Sequence, residues 1–218
     1  MNKVLKYVVA IISCLAVLFI LSSCTQSKEL GSEANPLKFY LIPAQDMMTL
    51  QESGKILKVF LEKELKEKSN HNIGLIDVRE WNLGLLNNVF SSVEKTPEQF
   101  KPLAERMFAA DAFVIVTPEY NGSYSPALQN LLDHFPKQSR KAFAIATAST
   151  GGLGGARSSQ QALLLVPALF GIASPYLLIT PNVDKKFDEA GNLVDETFRP
   201  AINTFVSEFL WLAESLKK

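Results

Sequence analysis

The chain has 218 residues and carries 22 basic and 22 acidic side chains, a formal net charge of zero at neutral pH. That balance gives no support for nucleic-acid binding, which wants a basic patch. His71 and His134 lie far apart in sequence and no metal-ligand set surrounds His134, so a zinc or iron site is not expected.

The first 23 residues read as an export signal. Lys3 and Lys6 precede an apolar run from Tyr7 to Leu21, which ends in Leu21-Ser22-Ser23-Cys24. The run is short for a membrane span, which needs roughly 20 apolar residues. Leu-Ser-Ser-Cys resembles the bacterial lipobox. That resemblance implies a lipoprotein acylated at Cys24, by palmitate for example, and held on a membrane outside the cytoplasm, on a periplasmic or surface face. An uncleaved anchor is the alternative, and either one ties the chain to a membrane. Cys14 leaves with the signal and lipid consumes Cys24, so disulfides and cysteine chemistry are excluded from the folded domain. Losing Lys3 and Lys6 leaves 20 basic against 22 acidic side chains. Residues 24–36 are polar and read as a flexible tether. Residues 37–218, about 180 in number, suffice for one domain with a full core.

Leu37 to Ile42 reads as the first strand. Leu50, Leu57, Phe60, Leu61 and Leu65 follow at helical spacing, with Glu62, Lys63, Glu64 and Lys66 expected to face out. Ile73 to Val78 reads as the second strand, and Trp81 to Lys95, which lacks a period, as a long loop. Thr96-Pro97-Glu98 predicts a helix start capped by Thr96, with Phe100, Leu103, Met107 and Phe108 on its inner face. Ala112 to Val116 and Ala142 to Ala146 are apolar runs suited to strands buried on both faces. Pro175 to Thr180 gives a fifth strand, with proline tolerable at its start. After a turn at Glu189–Asn192, a final helix from about Asp195 places Phe198, Ile202, Phe205, Phe209, Leu212 and Leu216 on one face. Strand and helix alternate five times, which predicts an α/β fold: a five-stranded parallel sheet with helices on both faces.

Two loops stand out because each follows a buried strand and leads into a helix, where open α/β sheets bind ligands. The first is Thr117-Pro118-Glu119-Tyr120-Asn121-Gly122-Ser123-Tyr124-Ser125-Pro126, in which Ser125-Pro126 is an N-cap and first-turn signal and Asn121-Gly122 has the residues for a tight turn. The second is Ser149-Thr150-Gly151-Gly152-Leu153-Gly154-Gly155-Ala156-Arg157. Its glycines permit close backbone approach to a ligand, and equally permit tight internal packing. Asn130 and Asp133 read as local hydrogen-bonding residues. Arg157 reads either as a solvated or interface side chain or as a ligand contact.

The Pro118-Glu119-Tyr120-Asn121 loop with Leu128, Asn130 and Asp133, the glycine run at 151–157 and the Phe187–Glu196 turn resemble the NADPH-dependent FMN reductase family. The likeness runs from about Leu37 to Leu216. It implies a flavodoxin-like three-layer sandwich binding FMN, with NAD(P)H as hydride donor and a quinone, flavin or similar small molecule as electron acceptor. It implies ring contacts at Pro118, Glu119, Tyr120, Asn121 and Gly122, with Tyr120 as a flat wall. It also implies amide donors around Ser149, Gly151, Gly152, Gly154 and Gly155, and no catalytic side chain, because the flavin carries the chemistry. A homodimer is implied too, with Phe90 and Phe135 as candidate exposed apolar residues.

The match breaks after the first strand. Family members hold the FMN phosphate with Gly-Ser-x-Arg-x-x-Ser; here the segment reads Pro43-Ala44-Gln45-Asp46-Met47-Met48-Thr49-Leu50-Gln51. Thr49 keeps a hydroxyl for the phosphate, whereas Asp46 stands where an arginine is usual and Pro43 lacks an amide donor. The signal also has no twin arginine, so the chain is expected to fold outside the cytoplasm. Two readings follow: an FMN-dependent reductase, and a membrane-anchored binding or structural protein that has lost the cofactor.

Overall fold

A computed structural model describes residues 36–44 and 52–217. The expected signal, Cys24 and the tether up to Asn35 lie outside the described residues, as do Asp46, Thr49 and Leu50. Six parallel strands make one sheet: β1 (Lys38–Pro43), β2 (Asn72–Leu75), β3 (Ala112–Pro118), β4 (Ala142–Ala148), β5 (Ile172–Ala173) and β6 (Leu178–Thr180). The order is β2-β1-β3-β4-β5, with β6 also paired to β4. The helices are α1 (Glu52–Lys68), α2 (Lys101–Ala109), α3 (Pro126–Asp133), α4 (Ala156–Ala168), α5 (Val183–Lys186) and α6 (Arg199–Leu216).

Strand alternation divides the core in two. Phe39, Leu41, Val114 and Val116 face Leu57, Leu61 and Leu65 of α1 and Ile202, Phe205 and Phe209 of α6. Ile42, Phe113, Ile115 and Phe143 face Leu103 and Met107 of α2, Leu128 and Leu131 of α3 and Val166 of α4. Because both faces are covered, β3 and β4 are buried along their whole length, which is why they read as continuous apolar runs.

Several boundaries differ from the sequence reading. The fifth position of the sheet is shared by β5 and β6. The Ser174 amide still bonds the Phe143 carbonyl (2.7 Å), but Pro175 has no N–H and pairing resumes only at Leu178. The second strand stops earlier than Val78, because Asp77 accepts the Arg79 amide (3.1 Å) and turns the chain into a 3-10 segment at Val78–Glu80. Thr96 is no cap: its hydroxyl donates to the Ser92 carbonyl (2.8 Å), and α2 starts at Lys101 after a 3-10 turn. Asp195 caps a 3-10 turn at Glu196–Phe198, and α6 begins at Arg199.

Glu64 turns inward rather than out. It is buried and paired with Arg199 (2.5 Å) and Lys68 (2.9 Å), joining α1 to α6. Burial by itself would raise its pKa; the hydrogen bonds and charges of Lys68 and Arg199 outweigh that and hold the carboxyl below its usual range. Phe90 and Phe135 are 5% and 4% exposed and stack edge to face at 5.6 Å, so they offer no surface for a second copy.

Lys141, at the start of β4, donates to the Met107 carbonyl (3.1 Å) and to Gln138 (2.8 Å) beneath the Phe113 ring. Burial pushes its ammonium down to about 8, against a smaller upward pull from Asp111. The folded state therefore releases this proton before the unfolded chain does, and stability rises as pH climbs from about 8 towards the unfolded value. Lys141→Met is expected to remove about 1–2 kcal/mol of the gain between pH 7 and pH 9.5 in urea unfolding. Equal gains in both proteins would contradict this.

Candidate functional site

The register Thr117↔Thr147 and Pro118↔Ala148 brings β3 and β4 to an end side by side, so the loops that follow leave the sheet as neighbours. Thr117 and Pro118, expected in the loop, are the last residues of the strand. The chain then folds back within two residues. Tyr120 and Ser123 exchange backbone hydrogen bonds (2.8 and 3.0 Å) around Asn121 and Gly122, which take φ of 49° and 81°. Asparagine followed by glycine suits that left-handed pair. Ser125 accepts the Leu128 amide (3.3 Å) and Pro126 opens α3, as the cap signal predicts.

The second loop is shaped by two of its glycines and a hydroxyl. A Cβ on Gly154 would stand 2.6 Å from the Pro181 nitrogen, and one on Gly155 2.8 Å from the Thr147 Cβ. Both residues have positive φ, so they are packing glycines. Thr147 donates to the Gly154 carbonyl (2.8 Å). Gly151 and Gly152 are different: both are exposed, and nothing lies within 4 Å of a Cβ built on Gly152. Ser149 accepts the Gly151 amide (2.9 Å), while the Gly152 amide has no acceptor among the described residues.

Between the loops lies an open cleft of about 530 Å³, inside the roughly 300–1,000 Å³ range of small-molecule sites. Glu119, Asn121 and Gly122 line it from the first loop. Ser149, Gly151, Gly152, Leu153 and Gly155 line it from the second, with Arg157 at the start of α4. Three residues from the sequence reading stand off the lining. Pro118 is buried in β3, where its carbonyl accepts from Ser158 (3.1 Å). Gly154 is buried against Pro181, and the half-buried Tyr120 does not form a wall of this cleft.

Arg157 and the hydroxyls of Thr117, Thr147 and Ser158 have roles that the sequence alone does not assign. Arg157 Nε donates to Glu119 Oε1 (2.7 Å), and Nη2 approaches the same oxygen (2.5 Å), so an ion pair spans the two loops. Thr117 accepts the Ser125 amide (3.3 Å) and donates to the Pro118 carbonyl (3.0 Å), and Ser158 ties α4 to that same carbonyl. The available signal was a threonine near the end of each of two otherwise apolar strands. Asn130 and Asp133 bond the Gly84 carbonyl and Gln129, as local residues.

The turn after β1 has a feature of its own. Pro43 has no amide proton, and the Ala44 amide is spent on the Val116 carbonyl (2.9 Å). The first two positions there therefore offer no donor to an anion.

An order of 2-1-3-4-5, with strand-end loops lining a cleft, defines a flavodoxin-like α/β protein. A family model for NADPH-dependent FMN reductases matches residues 51–181, and the chain belongs to that family. It is 30% identical over 122 residues to an FMN-dependent NADPH-azoreductase of Staphylococcus aureus, covering 55% of this chain and 65% of that relative. The match thus spans slightly less than two thirds of the relative's length. Among solved structures, a flavoenzyme NAD(P)H:(acceptor) oxidoreductase from Paracoccus denitrificans superposes with a TM-score of 0.61 at 17% identity, over 83% of this chain and 98% of that one. A flavodoxin variant from Pseudomonas aeruginosa gives 0.50 at 16% identity, over 80% and 99%. At such identities the likeness is one of fold.

Proposed function

We propose that the chain is an FMN-dependent NAD(P)H oxidoreductase that passes electrons to a quinone, flavin or similar small acceptor. The observation that carries the reading is the slot between the loops, where a Cβ on Gly152 would meet nothing within 4 Å and one on the exposed Gly151 would meet only the Ser149 hydroxyl, at 3.3 Å. Those positions fit the edge of a flat ring, and the free Gly152 amide fits a ring carbonyl. Asn121, Gly122 and Glu119 would hold the opposite side, with Ser149 and Gly155 keeping the glycine loop in shape. FMN supplies the hydride and electron transfer when bound. The side chains have the narrower tasks of orienting the ring and keeping the loops at a fixed spacing, which the Ser158 and Thr147 hydrogen bonds serve. Thr49 remains the proposed phosphate contact.

Protein supplied with FMN is expected to consume NADPH or NADH in the presence of a small quinone, at a rate well above that of free FMN alone. A rate equal to free FMN would refute the enzymatic reading and favour an anchored protein without cofactor. Attachment to a membrane outside the cytoplasm through lipid on Cys24 belongs to the same proposal, on the strength of the Leu21-Ser22-Ser23-Cys24 signal. Incorporation of labelled palmitate should vanish in Cys24→Ala; incorporation that persists would remove that assignment. Pairing into a homodimer is a further part of the proposal, drawn from the family resemblance, and sedimentation as a monomer at high concentration would dispose of it.

A further inference from the structure

We infer that Arg157 is an anion-recognising subsite at the rim of the cleft, which Glu119 occupies until the acidic group of a ligand displaces it. The inference rests on the proposed role of the cleft and names the chemistry of what enters beside the flavin.

Glu119 and Arg157 are the only charged side chains among the described residues lining the cleft. They are not equivalent: the Glu119 side chain is 15% exposed and that of Arg157 is 66% exposed. The pair is also imperfect. Arg157 directs Nε and Nη2 at one oxygen, Oε1, instead of matching its fork to both carboxylate oxygens. The remaining guanidinium donors have no acceptor among the described residues. A Cβ on Gly122 would stand 4.0 Å from Nη1, so the glycine of the first turn leaves the guanidinium room to move. An ion pair this exposed is weakly held, and a second anion can compete for it.

The neighbouring surface fixes the rest of the ligand. Leu153, at the tip of the glycine loop, is 66% exposed and lines the same cleft. An apolar side chain beside an available guanidinium suits a molecule with a flat apolar body and one acidic substituent. The substituent is either the sulfonate or carboxylate of an aromatic acceptor or a phosphate of the nicotinamide donor. Neutral aromatics of the same shape would use Leu153 and leave Arg157 with Glu119.

The test is calorimetric titration of the full-length protein, with and without FMN, using naphthalene-2-sulfonate, neutral 2-naphthol and inorganic pyrophosphate as probes. The Kd for FMN is measured on the same samples. The wild-type protein is expected to prefer the sulfonate to the naphthol. Arg157→Gln should lower that preference by at least about tenfold, and Arg157→Lys should restore part of it. Glu119→Gln should move the other way and strengthen anion binding about threefold or more, since it removes the competing carboxylate. A merely structural pair would give losses in both variants, and that result overturns the inference. So does a sulfonate-to-naphthol ratio unchanged in Arg157→Gln together with unchanged pyrophosphate binding. Sensitivity of the sulfonate alone assigns the subsite to the acceptor, and sensitivity of pyrophosphate alone assigns it to the donor. Failure of FMN to bind while the sulfonate preference persists would remove the flavin reading and leave the subsite standing.

Discussion

Asp46→Arg is expected to tighten FMN binding at least about tenfold while leaving riboflavin affinity within about twofold, because only FMN carries the phosphate. The unaltered protein should discriminate little between the two flavins. In the flavodoxin-type order the flavin sits at the switch point between β1 and β3, so the turn after β1 is where a phosphate would be met. Pro43 has no amide proton there, and the Ala44 amide is committed to Val116, so the nearest backbone donors are absent. The sequence then places a carboxylate, Asp46, where attraction is needed. Reversing the charge removes one repulsion and adds one attraction, each worth about 1–4 kcal/mol at surface-like dielectric, so even the low end of the sum exceeds tenfold. Parallel titrations with FMN and riboflavin decide it. If FMN affinity is unchanged in the variant, the phosphate does not lie beside this turn.

The second large effect separates two kinds of glycine within one loop. Gly152→Val is expected to leave folding stability within about 0.5 kcal/mol, since nothing lies within 4 Å of the added Cβ. The same change should weaken flavin binding by about two orders of magnitude, because the side chain projects into the slot proposed for the ring. Gly154→Ala is expected to do the reverse. Its Cβ would meet the Pro181 nitrogen at 2.6 Å and the Ile179 Cγ2 at 2.8 Å, in a backbone with φ of 60°. A backbone atom cannot swing aside as the end of a side chain can, so destabilisation of about 2–4 kcal/mol follows. Chemical unfolding and flavin titration of the two variants measure both quantities. Equal flavin affinity in Gly152→Val and wild type would place the ring elsewhere.

The parallel sheet and its two helical layers are legible in the sequence because β3 and β4 are buried on both faces. Ala112–Val116 and Ala142–Ala146 have no choice but to be apolar. The cap at Ser125 and the turn at Asn121-Gly122 are legible because each needs a particular side chain at a particular backbone angle. The split into β5 and β6 was hidden because Pro175 is acceptable at a strand start and equally able to interrupt one. Glu64 looks like a solvent-facing charge because its partner Arg199 lies 135 residues away. The same limit applies at the site: Glu119 and Arg157 are 38 residues apart, and only the register of β3 against β4 brings them together. The four glycines look alike in sequence. They differ in whether Pro181 and Thr147 stand behind them, which is a tertiary fact.

We propose that the flavin ring enters between the Asn121-Gly122 turn and the exposed glycines of the second loop. Amide resonances of isotope-labelled protein, followed during titration with FMN, report on it residue by residue. Saturable shifts centred on Asn121, Gly122, Gly151 and Gly152 are the predicted result. Shifts confined to the segment after β2, around residues 77–90, or none at all at saturating FMN, would contradict it.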